Sequence, residues 1–257
     1  MNRFAFAMVL LAATAAPGFA QTNAIRNMAL TPHGPDDQIW CENPQSPIEK
    51  RISYCESAVR AGHFDILLEL AKLQRIAGNY DAALASIARL TGRMPDIPTG
   101  YASTGSGDWI PVLEARSEIY AQMGKFDEAR ADVDEIQHVS IDGAAADNAQ
   151  CWLRAIAGRE MEQALGFCNK ALERKPRIAD FHDSRALIYL KLGRFQDALD
   201  DFNAALDENS NLASSRFGRG VAKSRLGDLE GGKKDIADAE ARDFAVAKQM
   251  GGYGVTP

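Results

Sequence analysis

Between Asp183 and Leu192 the apolar positions Ala186, Tyr189 and Leu190 fall three and four residues apart, the spacing that puts side chains on one face of a helix. Gly193 follows at the point where such a helix needs a left-handed residue to end. From Phe195 a second stripe begins, formed by Ala198, Phe202 and Ala205. The alanines let two helices approach closely, and the aromatics fill the space beside them. The pattern therefore predicts a helical hairpin over 179–212. A hairpin this small cannot bury its own faces, so it needs neighbours on both sides.

The chain supplies them. Residues 64–97 carry Leu67, Leu70, Ala71, Gly78, Tyr80, Ala83, Ile87, Leu90 and Pro95 at the same offsets, and 110–143 carry Tyr120, Gly124, Phe126, Ala129, Val133 and Ile136. In 145–178, Ala164, Cys168, Ala171, Leu172 and Pro176 keep the register, but Arg159 stands in the glycine slot and Gly158 comes one place early. That leaves its first helix open by one residue. The unit 213–246 has Gly220, Gly227, Leu229, Ile236 and Ala239, with Gly232 in an alanine slot. A Gly-Gly pair inside a helix costs about 1 kcal/mol per residue, which reads as a degenerate terminal unit. Gly124 follows Gly78 by 46 residues, one period of 34 plus 12 more. The extra residues, 98–109, are turn formers from Tyr101 to Asp108, with Trp109 expected to return to the core.

With Ala179 as position 1, Ala186, Tyr189, Gly193, Phe195, Ala198, Phe202 and Ala205 fill every marked slot of a tetratricopeptide repeat, which this stretch resembles. The resemblance implies an all-α, right-handed superhelical solenoid of stacked hairpins that binds a protein or peptide. Family members that receive free C-terminal carboxylates carry Lys at position 5 and Asn at positions 6 and 9. Here positions 5 and 9 hold Leu68 and Lys72, Glu114 and Glu118, then Asp183 and Leu187, so the resemblance does not extend to that activity.

Residues 1–20 read as a secretory leader: Arg3, an apolar run from Phe4 to Ala16, and the small-residue exit Gly18-Phe19-Ala20. The run is too short for a bilayer, which needs roughly 20 residues. A mature chain starting at Gln21, without membrane insertion, in the periplasm or secreted, is the expectation. Residues 21–45, with Pro32, Pro35 and Pro44 and no helical period, read as an extended arm. Ile48, Ile52, Cys55 and Val59 give 46–62 the stripe of a capping helix. The tail 247–257 shows no regular pattern.

Four cysteines in an exported chain invite pairing. Spacing favours Cys41 with Cys55 and Cys151 with Cys168, and the latter two occupy positions that face each other within a hairpin. Cys151-Trp152 followed by Cys168-Asn169-Lys170-Ala171-Leu172 also resembles a subgroup of exported bacterial tetratricopeptide proteins, which implies a bridged third hairpin.

No Cys-x2-Cys or His-x3-His pair suggests a metal, and no Gly-x-Ser-x-Gly, phosphate loop or His-Glu-x-x-His suggests catalysis. The carboxylates read as solvated outer faces. Accordingly no catalytic residue, metal site or cofactor is assigned. A net charge of -6 without a Lys/Arg run argues against nucleic acid. The expected activity is that of a protein- or peptide-binding adaptor or scaffold, with an envelope enzyme or glycan-binding accessory using 98–109 as the alternative. The inward positions of the last two repeats place Asp183, Leu187 and Lys191 beside Phe217, Val221 and Arg225, an apolar floor with a charged rim suited to a peptide. Phe244 and Tyr253 lie downstream and could fold back to cover that floor.

Overall fold

The computed structural model describes residues 36–92 and 109–257, and over these the protein is all helical. The leader, the arm up to residue 35 and the inserted stretch 98–108 lie outside the described residues. Helices pair in chain order: α1 (Asp36–Glu42) with α2 (Ile48–Ala61), α3 (Leu67–Ala77) with α4 (Tyr80–Thr91), and α5 (Ile110–Gln122) with α6 (Phe126–Val139). The series continues with α7 (Ala144–Ala157) on α8 (Met161–Arg174), α9 (Ala179–Lys191) on α10 (Phe195–Glu208), and α11 (Ala213–Arg225) on α12 (Leu229–Arg242). A short α13 (Val246–Gly252) follows. Each hairpin also packs on the next, which is what makes the stack a solenoid.

The residues that fix the pattern do what their spacing requires. Ala186, Ala198, Ala205 and Phe202 are all buried, Gly193 takes φ 73° at the end of α9, and Trp109 is buried ahead of α5. In the third hairpin Gly158 (φ 66°) takes the left-handed role one place early, and α7 starts at Ala144. The first helix of this hairpin is therefore shifted by one residue against the 145–178 frame.

Three expectations need correction. Residues 36–42 are not extended: Asp36–Glu42 is a helix, pinned by the Cys41–Cys55 bridge (Cα–Cα 4.8 Å). Seven residues are too few to show a period, so the tie to α2 decides its form rather than its own sequence. Gly232 is not a weak point either, because a Cβ there would lie 2.6 Å from the Gly220 carbonyl oxygen, and one on Gly220 would lie 2.7 Å from the Gly232 carbonyl oxygen. The two glycines allow α11 and α12 to touch backbone to backbone. Nor are all carboxylates on solvated faces: Asp132, Asp201 and Asp235 are buried at the seams of three hairpins.

Each of those aspartates is held by an arginine 16 residues earlier. Arg116 meets Asp132 (Nη2 to Oδ1 2.6 Å), Arg185 meets Asp201 (Nε to Oδ2 2.7 Å), and Arg219 meets Asp235 (Nε to Oδ2 2.7 Å). Two of these arginines also reach the preceding repeat, Arg185 to Asn169 Oδ1 at 2.9 Å and Arg219 to Asn203 Oδ1 at 3.1 Å. The α3–α4 hairpin, first of the repeats once the α1–α2 cap is set aside, is joined by Ser86 donating to Gln74 at 2.8 Å. The third is joined by Cys151–Cys168 (Cα–Cα 5.2 Å), in the slots that Ala186 and Phe202 occupy in the fourth.

The two ends of the stack meet. Phe244 N–H donates to the Pro44 carbonyl at 2.9 Å, Asp243 lies 3.6 Å from Arg51 Nη1, and Ala245 is buried in the apolar cluster around Cys41, Ile48 and Leu67. From there α13 packs on α3 and α11.

Candidate peptide-binding groove

Successive first helices of the hairpins, α3, α5, α7, α9 and α11, line the groove. Its centre is a polar knot. Trp152 Nε1 donates to Glu118 Oε1 at 2.6 Å, Arg75 Nη2 lies 3.0 Å from Glu118 Oε2, and the Tyr253 hydroxyl donates to the same Oε2 at 3.3 Å. Gln249 Nε2 in turn donates to the Tyr253 oxygen at 3.2 Å. The Tyr253 ring meets Trp152 edge to face (5.2 Å between centroids) and lies 5.5 Å from the Arg75 guanidinium. Burial, reinforced by the Glu118 charge, holds the Tyr253 hydroxyl well above its usual pKa, so it stays a donor.

Tyr253 is 1% exposed and Val255 is buried with it. Both belong to the apolar cluster that contains Leu187, Phe217 and Val221. The expected floor is thus present but not open: Leu187, Phe217 and Val221 lie in the core beneath α13 and the residues after it. Leaving three large apolar groups in water would cost more than ordering a short tail over them. Phe244, the other candidate cover, is 56% exposed and is not part of this core.

The polar members of the set are split. Lys191 Nζ donates to the Ala155 carbonyl at 2.6 Å, and burial lowers its pKa to about 8. Arg225 is exposed and, with Lys191, Val221, Gly254 and Thr256, borders a small cavity of about 110 Å³. Asp183 accepts hydrogen bonds from Ser215 Oγ and, at 3.5 Å, Ser214 Oγ. Burial nevertheless raises its pKa to about 6, with the neighbouring Asp180 adding to the rise. Glu114 goes to about 7, through burial first and then the charges of Glu118 and Asp180, against the opposing pull of Lys72. The arrangement holds hydrogen-bonded and charged groups in place.

Sequence reasoning missed the Glu118–Trp152–Arg75 knot and the arginine–aspartate seams. The seams had a signal, an Arg and an Asp 16 apart in three repeats. The knot had none, since its partners lie in three different repeats and the tail.

Residues 179–212 match the tetratricopeptide repeat family. The chain is similar to Hsc70-interacting protein 1 of Drosophila melanogaster, 32% identical over 133 residues, which are 52% of this chain and 33% of that protein. It is similar to the TPR repeat-containing thioredoxin TDX of Arabidopsis thaliana, 29% identical over 110 residues, 43% of this chain and 29% of that one. The chain thus spans about a third of the length of these relatives. Among solved structures it is similar to a thermophilic TPR protein of Thermus thermophilus, with a TM-score of 0.55 and 18% identity, covering 75% of this chain and all of that one.

Proposed function

The chain is a tetratricopeptide-repeat protein, and from that premise we propose that it acts as an exported adaptor or scaffold that binds a protein or peptide partner. The observation that carries this reading is the seating of residues 246–257 in the groove. Arg75, Glu118 and Trp152, from three successive repeats, grip one aromatic residue, Tyr253, of a segment that runs across them. A groove that recognises its own tail in this way has the make-up of a peptide site, with an aromatic anchor and hydrogen bonds at its rim.

Two features give the reading its direction. Relatives named for interaction with Hsc70 support a protein partner, while the basic residues of a carboxylate receptor are replaced here by Glu114 and Asp183, so free C-termini are not the ligands we propose. Placement in the periplasm or outside the cell is supported by the leader-like start and by two disulfides, which persist in oxidising compartments. No helix among the described residues is long and apolar enough to cross a membrane.

The test is photo-crosslinking of the full-length protein in its own host. A crosslinker in place of Asp180 or Arg225, at the groove, should trap a defined partner, whereas one in place of Asp200, on the outside of α10, should not. Equal trapping at all three positions would end the groove reading, and no trapping at any would end the adaptor reading. N-terminal sequencing of the mature protein should begin at Gln21.

A further inference from the structure

Building on the partner-binding reading above, we propose that the stretch of groove between α5, α7 and α9 receives a positively charged side chain, a Lys or Arg presented by a partner peptide. Glu114, Asn148, Asp180 and Asp183 would hold it. The placement follows from the knot already described. The Trp152–Glu118 hydrogen bond fixes α7 against α5, and Asn148 and Glu114 each stand four residues, about one turn, earlier on the same two helices. They are therefore neighbours in the next layer of the groove. Asp180 joins them from α9, where its charge is felt by both Glu114 and Asp183.

What these groups lack is a donor. Asp183 has the Ser215 and Ser214 hydroxyls, but among the described residues no hydrogen bond or ion pair reaches the carboxylates of Glu114 or Asp180. Asn148 is only 8% exposed and its Oδ1 is buried without a hydrogen-bond partner. Buried acceptors are almost always satisfied, so an empty one beside two unpaired carboxylates marks a place where a donor belongs. Lys72, whose charge opposes the rise at Glu114, makes no ion pair among the described residues.

The chemistry of the missing group is constrained. The carboxylates of Glu114, Asp180 and Asp183 and the unpartnered Oδ1 of Asn148 are acceptors, and the aspartates make the layer negative, so a ligand that donates hydrogen bonds and carries positive charge fits it. A bare metal ion does not fit, because among the described residues no three Asp, Glu, His or Cys side chains come close enough together to hold one. An ammonium or guanidinium on a flexible stem can reach such separated acceptors from the exposed Asp180 side.

The experiment is fluorescence anisotropy with the full-length protein and three labelled nonapeptides of one length, bearing Lys and Arg, Gln, or Glu. The basic peptide should bind, more weakly as salt rises, and the other two at least ten-fold less well. Asp180→Asn and Glu114→Gln should each weaken it about five- to ten-fold, and Asn148→Leu, which removes the acceptor but no charge, should also weaken it. Glu240→Gln, on the exposed side of α12, should leave it unchanged, and circular dichroism should show each variant folded. Basic peptide binding that is equal in all variants, or absent, overturns the site. A crosslinked partner captured undiminished by Asp180→Asn and Glu114→Gln overturns it too, while leaving the adaptor reading in place.

Discussion

Arg185 clasps Asp201 across the fourth hairpin with two hydrogen bonds, Nε to Oδ2 at 2.7 Å and Nη2 to Oδ1 at 2.8 Å. His182 adds a third contact at 3.3 Å. Burial alone would raise the pKa of Asp201, yet the hydrogen bonds from Arg185 and His182 outweigh it and hold the carboxylate below its usual value. Because the aspartate stays buried and charged when its partner is removed, Arg185→Ala should cost about 3 kcal/mol. Arg185→Lys should recover little of it, since a single ammonium cannot make the paired contact. Urea denaturation of the two variants checks this, and equal stability of wild type and Arg185→Ala would refute it.

Stability should rise as pH is lowered from about 8 to about 5. Glu114 and Asp183 have folded pKa values raised to about 7 and about 6 from 4.5 and 3.8, so the folded state binds their protons more readily than the unfolded state does. Their contribution is complete below the unfolded values and is lost as pH rises through the folded ones. His182, raised by its bond to Asp201, works in the same sense. Asp201 and Asp235 are lowered and act oppositely, with stability present above their unfolded value and lost as pH falls through the folded one. Thermal melts from pH 3 to 9 should therefore peak between these limits. Glu114→Gln should raise stability at pH 8, by an amount on the order of 1–3 kcal/mol, and change it little at pH 5.

Tyr253→Ala removes a fully buried ring from the polar knot and should lower stability by about 3–5 kcal/mol. Tyr253→Phe keeps the ring contact with Trp152 and loses the hydroxyl's bonds to Glu118 and Gln249, so about 1–2 kcal/mol is expected. Similar losses for the two variants, measured by calorimetry, would show that the hydroxyl rather than the ring is the anchor.

Gly232→Ala reverses the usual helix rule. In an open helix the change gains about 1 kcal/mol, but here the new Cβ would fall 2.6 Å from the Gly220 carbonyl oxygen. A net loss of about 1–3 kcal/mol, read by urea denaturation, is expected from forcing α11 and α12 apart. Gly166→Ala, on α8 with open space at its Cβ, is the control and should be neutral or stabilising.

The hairpins were legible because Ala186, Gly193, Phe202 and their counterparts act locally: each is fixed by contacts within one period. Cys151 and Cys168 were legible for the same reason. What escaped was whatever depends on a choice between equal local options. An Asp at a hairpin seam and an Asp in water look alike in sequence, and only the repeated 16-residue offset from Arg116, Arg185 and Arg219 separates them. The open or covered state of Leu187, Phe217 and Val221 was undecided, since it turns on a tail whose glycines carry no pattern. Asn148 entered the groove row only through the one-residue shift of α7, which Gly158 signals but does not explain.

The tie between Phe244 and Pro44 changes what kind of object the stack is. An open array of repeats is a zipper, in which each unit feels only its neighbours and the termini peel away first. Here the last unit is joined to the first, and α13 crosses to α3, so contacts far apart in sequence close the row into a circuit. Closure of this kind demands long loops before any reward, which slows folding, but it removes the free end from which unravelling would begin. Cleavage anywhere in residues 243–246 would thus be felt at the Cys41–Cys55 hairpin at the opposite end of the chain.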